Sequence, residues 1–132
     1  MEEAIINGKI ISFNNPNQVI NMGGPWIGKL LLDNNEITDN VILDNIFYNK
    51  DQNNLYFIKY HKISKWQKEN YFSINILDLR TNNLFMYDLK FRQVYIEKID
   101  NHELIYYDAF HNKDESKKRI LNVNDLKRIS IY

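Results

Sequence analysis

Apolar and polar residues alternate along most of this chain with a period of two, in runs of five to ten residues separated by Asn, Asp and Gly. That period is the signature of strands with one face inward, and no stretch carries the 3.6-residue stripe of a helix. The most regular part runs from Tyr71 to His111. Tyr71 to Arg80 turns at Thr81-Asn82-Asn83 into Leu84 to Leu89, and Lys90 to Gln93 leads to Val94 to Ile99. Asp100-Asn101-His102 then leads into Glu103 to Phe110, so the pattern predicts a four-strand antiparallel meander.

Upstream, Asn7-Gly8 between Ala4-Ile5-Ile6 and Lys9-Ile10-Ile11 predicts a hairpin with a type I′ turn. Asn14-Asn15-Pro16-Asn17 reads as an exposed loop, and Gly23-Gly24-Pro25 as a backbone device ahead of a strand from Trp26 to Leu32. Gly28 inside that strand suggests a bulge or close approach, with Trp26 expected to cover it. Asp33 to Glu36 is a polar turn before a strand over 41–48, and Asn49 to Asn53 a second turn before one over 54–61. Lys62 to Asn70, with Trp66, is a loop or helical turn. Asn112 to Arg119 reads as a solvated charged loop. Ile120 to Val123 and Lys127 to Ile131 read as short strands around a turn at Asn124-Asp125.

The consistent fold class is all-β with little helix, an antiparallel meander forming a sandwich or partly open barrel. At 132 residues the expectation is a single domain over 1–132, too short for the four or so blades of a propeller. Seventeen basic and seventeen acidic residues balance, which argues against a protein built mainly to hold nucleic acid or acidic membrane. The balance hides an asymmetry: residues 1–60 carry four lysines against seven carboxylates, a formal −3, and the remainder +3. The absence of cysteine excludes disulfides and thiolate sites. An acidic N-terminus and the lack of a long apolar run point to a cytoplasmic protein. The abundance of Asn, Ile, Lys and Tyr reads first as the bias of an AT-rich genome.

Candidate chemistry is sparse. His61, His102 and His111 stand in no ligand-spaced pair, and Gly23-Gly24-Pro25 lacks the Lys-Ser/Thr of a phosphate loop. Asp78 and Asp88 flank one hairpin and would suit paired-carboxylate work only if they met across it. Tyr87, Phe91 and Tyr95 among Lys90, Arg92 and Lys98 fit a base-stacking platform, although alternating aromatics are more often core. Lys117-Lys118-Arg119 reads as a solvated run with phosphate binding a minor reading. No metal, cofactor or catalytic residue is assigned. A recognition surface remains: Asp33, Glu36, Asp39 and Asp44, with no cation among them, beside Trp26 on one flank and Phe47-Tyr48 on the other. Carboxylates near exposed aromatics suit a basic protein partner, and a polar hairpin kept soluble by its charges fits as well.

Three phrases, Gly23-Gly24-Pro25-Trp26-Ile27-Gly28-Lys29-Leu30, Ile42-Leu43-Asp44-Asn45-Ile46 and Leu55-Tyr56-Phe57-Ile58-Lys59-Tyr60, resemble the core of small bacterial immunity proteins. Such proteins guard cells carrying polymorphic toxins, including contact-dependent growth inhibition systems. The resemblance covers about the middle half of the chain. It implies a cytoplasmic, non-enzymatic protein without cofactor that binds one cognate toxin domain and blocks its active site or substrate access. Since many toxin domains are nucleases with basic clefts, the acidic stretch would be steered toward one. A small-ligand-binding β domain using Trp26, Trp66 and the tyrosines is the alternative, and a nucleic-acid module using the basic C-terminal half is a third.

Overall fold

The computed structural model describes residues 3–6, 8–18, 25–63, 70–110 and 114–130. Eleven antiparallel strands and two short 3-10 turns make up these residues, so the all-β reading with little helix holds. The strands are β1 (Glu3–Ile6), β2 (Lys9–Gln18), β3 (Trp26–Leu32), β4 (Asn35–Asn49), β5 (Asn54–His61), β6 (Tyr71–Asp78), β7 (Asn83–Tyr87), β8 (Tyr95–Asp100), β9 (Glu103–Tyr107), β10 (Lys118–Asn122) and β11 (Arg128–Ser130). Hydrogen bonding orders them as β1-β2-β3-β4-β5-β6-β7-β11 in one sheet and β10-β9-β8 in another, and neither closes into a barrel. Backbone contacts divide the chain into two compact units, Met1–Asp44 and Asn45–Tyr132, with the boundary inside β4.

In the first unit, Gly8 at φ +77 closes the β1–β2 hairpin with Ile6 opposite Lys9, as the Asn-Gly dipeptide requires; Asn7 lies outside the described residues. The supposed loop at Asn14 to Asn17 is instead part of β2, which passes through it by a register shift between Asn14 and Asn17. Pro16 is tolerated there because a bulge leaves one residue without a ladder bond. The β3–β4 ladder is irregular too. Thr38 faces Leu30 while Val41 faces Gly28, and Glu36 faces Leu31, so β4 carries an extra residue twice. Asn40, at φ +55, supplies the left-handed turn of one bulge.

Gly28 therefore has irregular pairing on both sides, and the reason is space. A Cβ there would stand 2.8 Å from the backbone oxygen of Asn14 and 3.0 Å from Cδ2 of Leu43. Close approach is thus correct for Gly28, but the nearest atoms belong to Asn14, Leu43 and Pro16 and not to Trp26, which is itself 53% exposed. Ile11, Ile27, Leu30, Leu32, Val41 and Ile42 are the buried core of this unit.

In the second unit β5 and β6 pair in register from Asn54–Asp78 to His61–Tyr71 and are buried along most of both faces. Continuous burial explains why their apolar runs are dense and weakly alternating. The meander expected from Tyr71 to His111 divides here. β7 takes β11 as its outer partner, while β8 and β9 join β10 in the smaller sheet. The chain changes sheets after Tyr87, and Phe91 marks the crossing by exchanging backbone bonds with Phe72 at 2.8 and 2.9 Å. Aromatic contacts reinforce it: Phe72 meets Phe110 edge-on at 4.9 Å and Phe91 meets Tyr106 at 5.4 Å.

A second link is a side chain acting as backbone. Asn45, buried in β4, accepts from the N–H of Ile96 at 2.7 Å and donates to its carbonyl at 2.9 Å. Within the charged loop expected over Asn112 to Arg119, Glu115–Lys117 is a 3-10 turn capped by Asp114 and β10 begins at Lys118. The second 3-10 turn, Val123–Asp125, coincides with the expected Asn124-Asp125 turn.

Two substitutions test these constraints by urea unfolding of the purified chain. Gly28→Ala should cost about 1–3 kcal/mol, because the clashing oxygen belongs to backbone and cannot swing aside. Asn45→Ala should cost about 2–4 kcal/mol, since it strips both partners from Ile96, which is buried.

Candidate functional site

The carboxylates nominated from sequence all lie in the first unit. Asp33 and Asn34, at φ +50 and +68, form the two-residue turn between β3 and β4, where Asp and Asn tolerate the left-handed region. Asp33 is already engaged: its Oδ1 accepts from the N–H of Ile10 at 2.8 Å, and its own N–H donates to the carbonyl of Ile10 at 2.8 Å. Glu36 pairs with Lys29 at 3.2 Å, so β3 supplies the cation that the acidic stretch itself lacks. Asp39 and Asp44 are both exposed.

The pairing decides which of these share a face. Leu31 opposite Glu36 and Ile27 opposite Ile42 place Glu36 and Asp44 on the Ile27 side of the pleat. Trp26 is on the opposite side, with Gly28 and Val41. Asp39 stands beside the Asn40 bulge, where the alternation is interrupted. The structure thus brings Glu36 and Asp44 to one face and separates Trp26 from them. Phe47 and Tyr48 belong to the second unit and are half-buried. The Tyr48 hydroxyl donates to Oδ1 of Asn53 at 3.0 Å, bracing the turn from β4 to β5.

The remaining candidates resolve one by one in the second unit. Asp78 accepts from the N–H of Arg80 at 2.9 Å and faces Asn83 across the hairpin. Asp88 follows Tyr87 at the far end of β7, so the two carboxylates do not meet. His61 lies 2.6 Å from Oγ of Ser73 and stacks on Tyr71 at 4.5 Å. Sequence reasoning missed this His-Ser pair, because the two residues meet only through the register of β5 with β6. Ser73 is fully buried and its Oγ also accepts from Asn75 at 2.9 Å, so it is closed to a substrate. His102 is exposed in the β8–β9 turn. His111, Trp66, Gly23 and Gly24 lie outside the described residues.

The proposed aromatic platform does not form, since Tyr87 is wholly buried. Burial, with Tyr56 nearby, pushes its phenol well above the ordinary value of 10.0, against a smaller opposing pull from Arg128. Neither the Tyr87 nor the Tyr56 hydroxyl has a hydrogen-bond partner among the described residues. The basic run also divides: Lys118 approaches Glu97 at 3.8 Å, while Lys117 and Arg119 line a cleft with Lys90, Phe91, Arg92, Gln93 and Asp108. The aromatic-lined pocket expected for a small-ligand domain is not this one. Among the described residues no group of three His, Cys, Asp or Glu is placed to hold a metal, and no helix is long and apolar enough to cross a membrane.

Comparison with family models, with curated proteins and with solved structures finds no match to this chain.

Tyr87 gives a pH test whose sign follows from its environment. Its folded pKa is raised, so its contribution to stability is complete below pH 10 and falls as pH rises above that value. Unfolding free energy should drop between pH 9 and pH 11, and Tyr87→Phe should shrink that drop. At pH 7 the same substitution should change stability by no more than about 1 kcal/mol, because among the described residues the hydroxyl it removes makes no well-formed hydrogen bond.

Proposed function

We propose that this protein is a non-enzymatic immunity protein that binds and neutralises a cognate toxin domain, a nuclease by class, by covering its active site or its path to substrate. The reading rests on the sequence resemblance and on one structural observation: Asp33, Glu36, Asp39 and Asp44 are all exposed along the β3–β4 hairpin. The first unit as a whole carries two lysines against six carboxylates, a formal −4. A surface of this sign attracts a basic protein cleft and accelerates encounter with it.

Within that surface the roles differ. Asp33 is tied to Ile10 and Glu36 to Lys29, which makes them rigid but reduces what they can offer a partner. Asp44 shares the face of Glu36, and Asp39 is exposed beside the bulge, so charge reversal at these two alters the surface without cutting the Asp33–Ile10 or Glu36–Lys29 contacts. Trp26, on the other pleat face, contributes less than its exposure alone would suggest.

Co-expression with the product of the neighbouring gene should give a complex at low salt that weakens as salt is raised. Asp39→Lys combined with Asp44→Lys should slow association by about tenfold or more, while Trp26→Ala should leave the rate within about twofold. Absence of any complex at low salt would overturn the reading.

A further inference from the structure

The second unit carries the opposite charge. With −4 on the first unit and a neutral chain, it has a formal +4, and part of that charge is gathered around one open cleft. Lys90, Arg92, Lys117 and Arg119 line it against a single carboxylate, Asp108, so the lining carries a net +3. Its volume is about 350 Å³, within the roughly 300–1,000 Å³ range of small-molecule sites. The other lining residues are Phe91 and Gln93.

The cleft is built from pieces held in place. Phe91 is tied by its backbone to Phe72 on β6 and by its ring to Tyr106 on β9, which positions the flanking Lys90 and Arg92. Lys90 is further placed by its ammonium, 4.9 Å from the Tyr71 ring centre. On the other wall, the N–H of Asp108 donates to the carbonyl of Lys117 at 2.9 Å. Arg119 donates through Nη1 to the carbonyls of Ser116 and Lys118 at 2.9 and 3.0 Å, and its Nε stands 3.5 Å from Asp108. Asp114 caps this turn through Ser116, and the bond holds its carboxyl below the ordinary aspartate value. Lys118, the first residue of β10, approaches Glu97, while Arg119 next to it on the strand and Lys117 at the end of the 3-10 turn line the cleft.

Four cations share one concavity with a single carboxylate, Asp108, which Arg119 already approaches, so the lining keeps a positive excess that a bound anion would offset. We propose that this cleft binds a small phosphate-bearing ligand with at least two negative charges. Two guanidinium groups match the geometry of phosphate oxygens better than ammonium groups alone, and the two lysines add charge without directional demand. Phe91 offers an apolar surface beside the cations, suited to the body of a phosphorylated metabolite. The cleft lies wholly within the second unit, so the proposal is independent of the acidic hairpin and of any toxin.

The test is calorimetric titration of the full-length chain with inorganic pyrophosphate, with ADP in a parallel arm and citrate as a polyanion without phosphate. Pyrophosphate should saturate one site at low salt, and Arg92→Gln with Lys117→Gln should weaken it at least tenfold. Lys9→Gln with Lys29→Gln, in the first unit, should leave it unchanged. Amide shifts on pyrophosphate addition should centre on Phe91, Gln93, Asp108 and Lys117. Tighter binding of ADP than of pyrophosphate supports a nucleotide as the source of the phosphate, and equal binding supports a plain oligophosphate. Failure to saturate, equal binding by the cleft variant, or citrate bound as tightly as pyrophosphate overturns the proposal.

Discussion

The second unit depends on a side chain that behaves as backbone. Asn45 holds the N–H and carbonyl of Ile96 with its own amide, as a neighbouring strand would. β8 is an edge strand of the smaller sheet, and an edge leaves backbone groups unpaired. Ile96 is buried, so those groups have no water to turn to, and each would cost about 1–3 kcal/mol if left unmade. One amide therefore both satisfies an edge and fixes where β8 lies against β4. The Phe72–Phe91 bridge does the same at the crossing from one sheet to the other, and the cleft residues on either side of Phe91 inherit their positions from it.

Much of the fold was legible because hairpin turns announce themselves locally. Gly8, Asn34, Asn53, Asn82 and Asn101 all adopt positive φ at or beside turns expected from sequence. The same residues give the asparagine content a physical use beyond codon bias. The chain has twenty Asn and only four Gly, and five of the six described non-glycine residues at positive φ are Asn. Asparagine enters the left-handed region more readily than other residues with a side chain, so it serves here where glycine commonly would.

Non-local choices were illegible. The alternation from Tyr71 to Phe110 is the same whether β7 pairs with β8 or with β11, so the division into two sheets left no trace in the pattern. Within the acidic stretch the alternation is interrupted for a sharper reason. An inserted residue shifts strand parity, and β4 has two insertions within the ladder that carries its carboxylates. The two shifts cancel beyond the ladder, so Trp26 and Asp44 stand on opposite faces as plain alternation would have them, while Thr38, between the insertions, is turned to face Leu30 on the Trp26 side. Asn40 at φ +55 is the only local sign of this, and asparagine in a strand is too common in this chain to single it out.

Charge shows a related gap between sum and arrangement. A neutral chain suggests indifference to charged partners, but fields in cellular salt decay over about 8 Å, far less than the span of a seven-residue strand, roughly 23 Å. What a ligand meets is the local sign. Exposed carboxylates dominate the β3–β4 hairpin, and four cations against one carboxylate dominate the cleft beside Phe91. Zero net charge is a sum over the whole chain, and screening leaves each place with the sign of its own near neighbours. The neutrality that argued against polyanion binding therefore carries no weight at the cleft, where the decision rests on the groups within one Debye length.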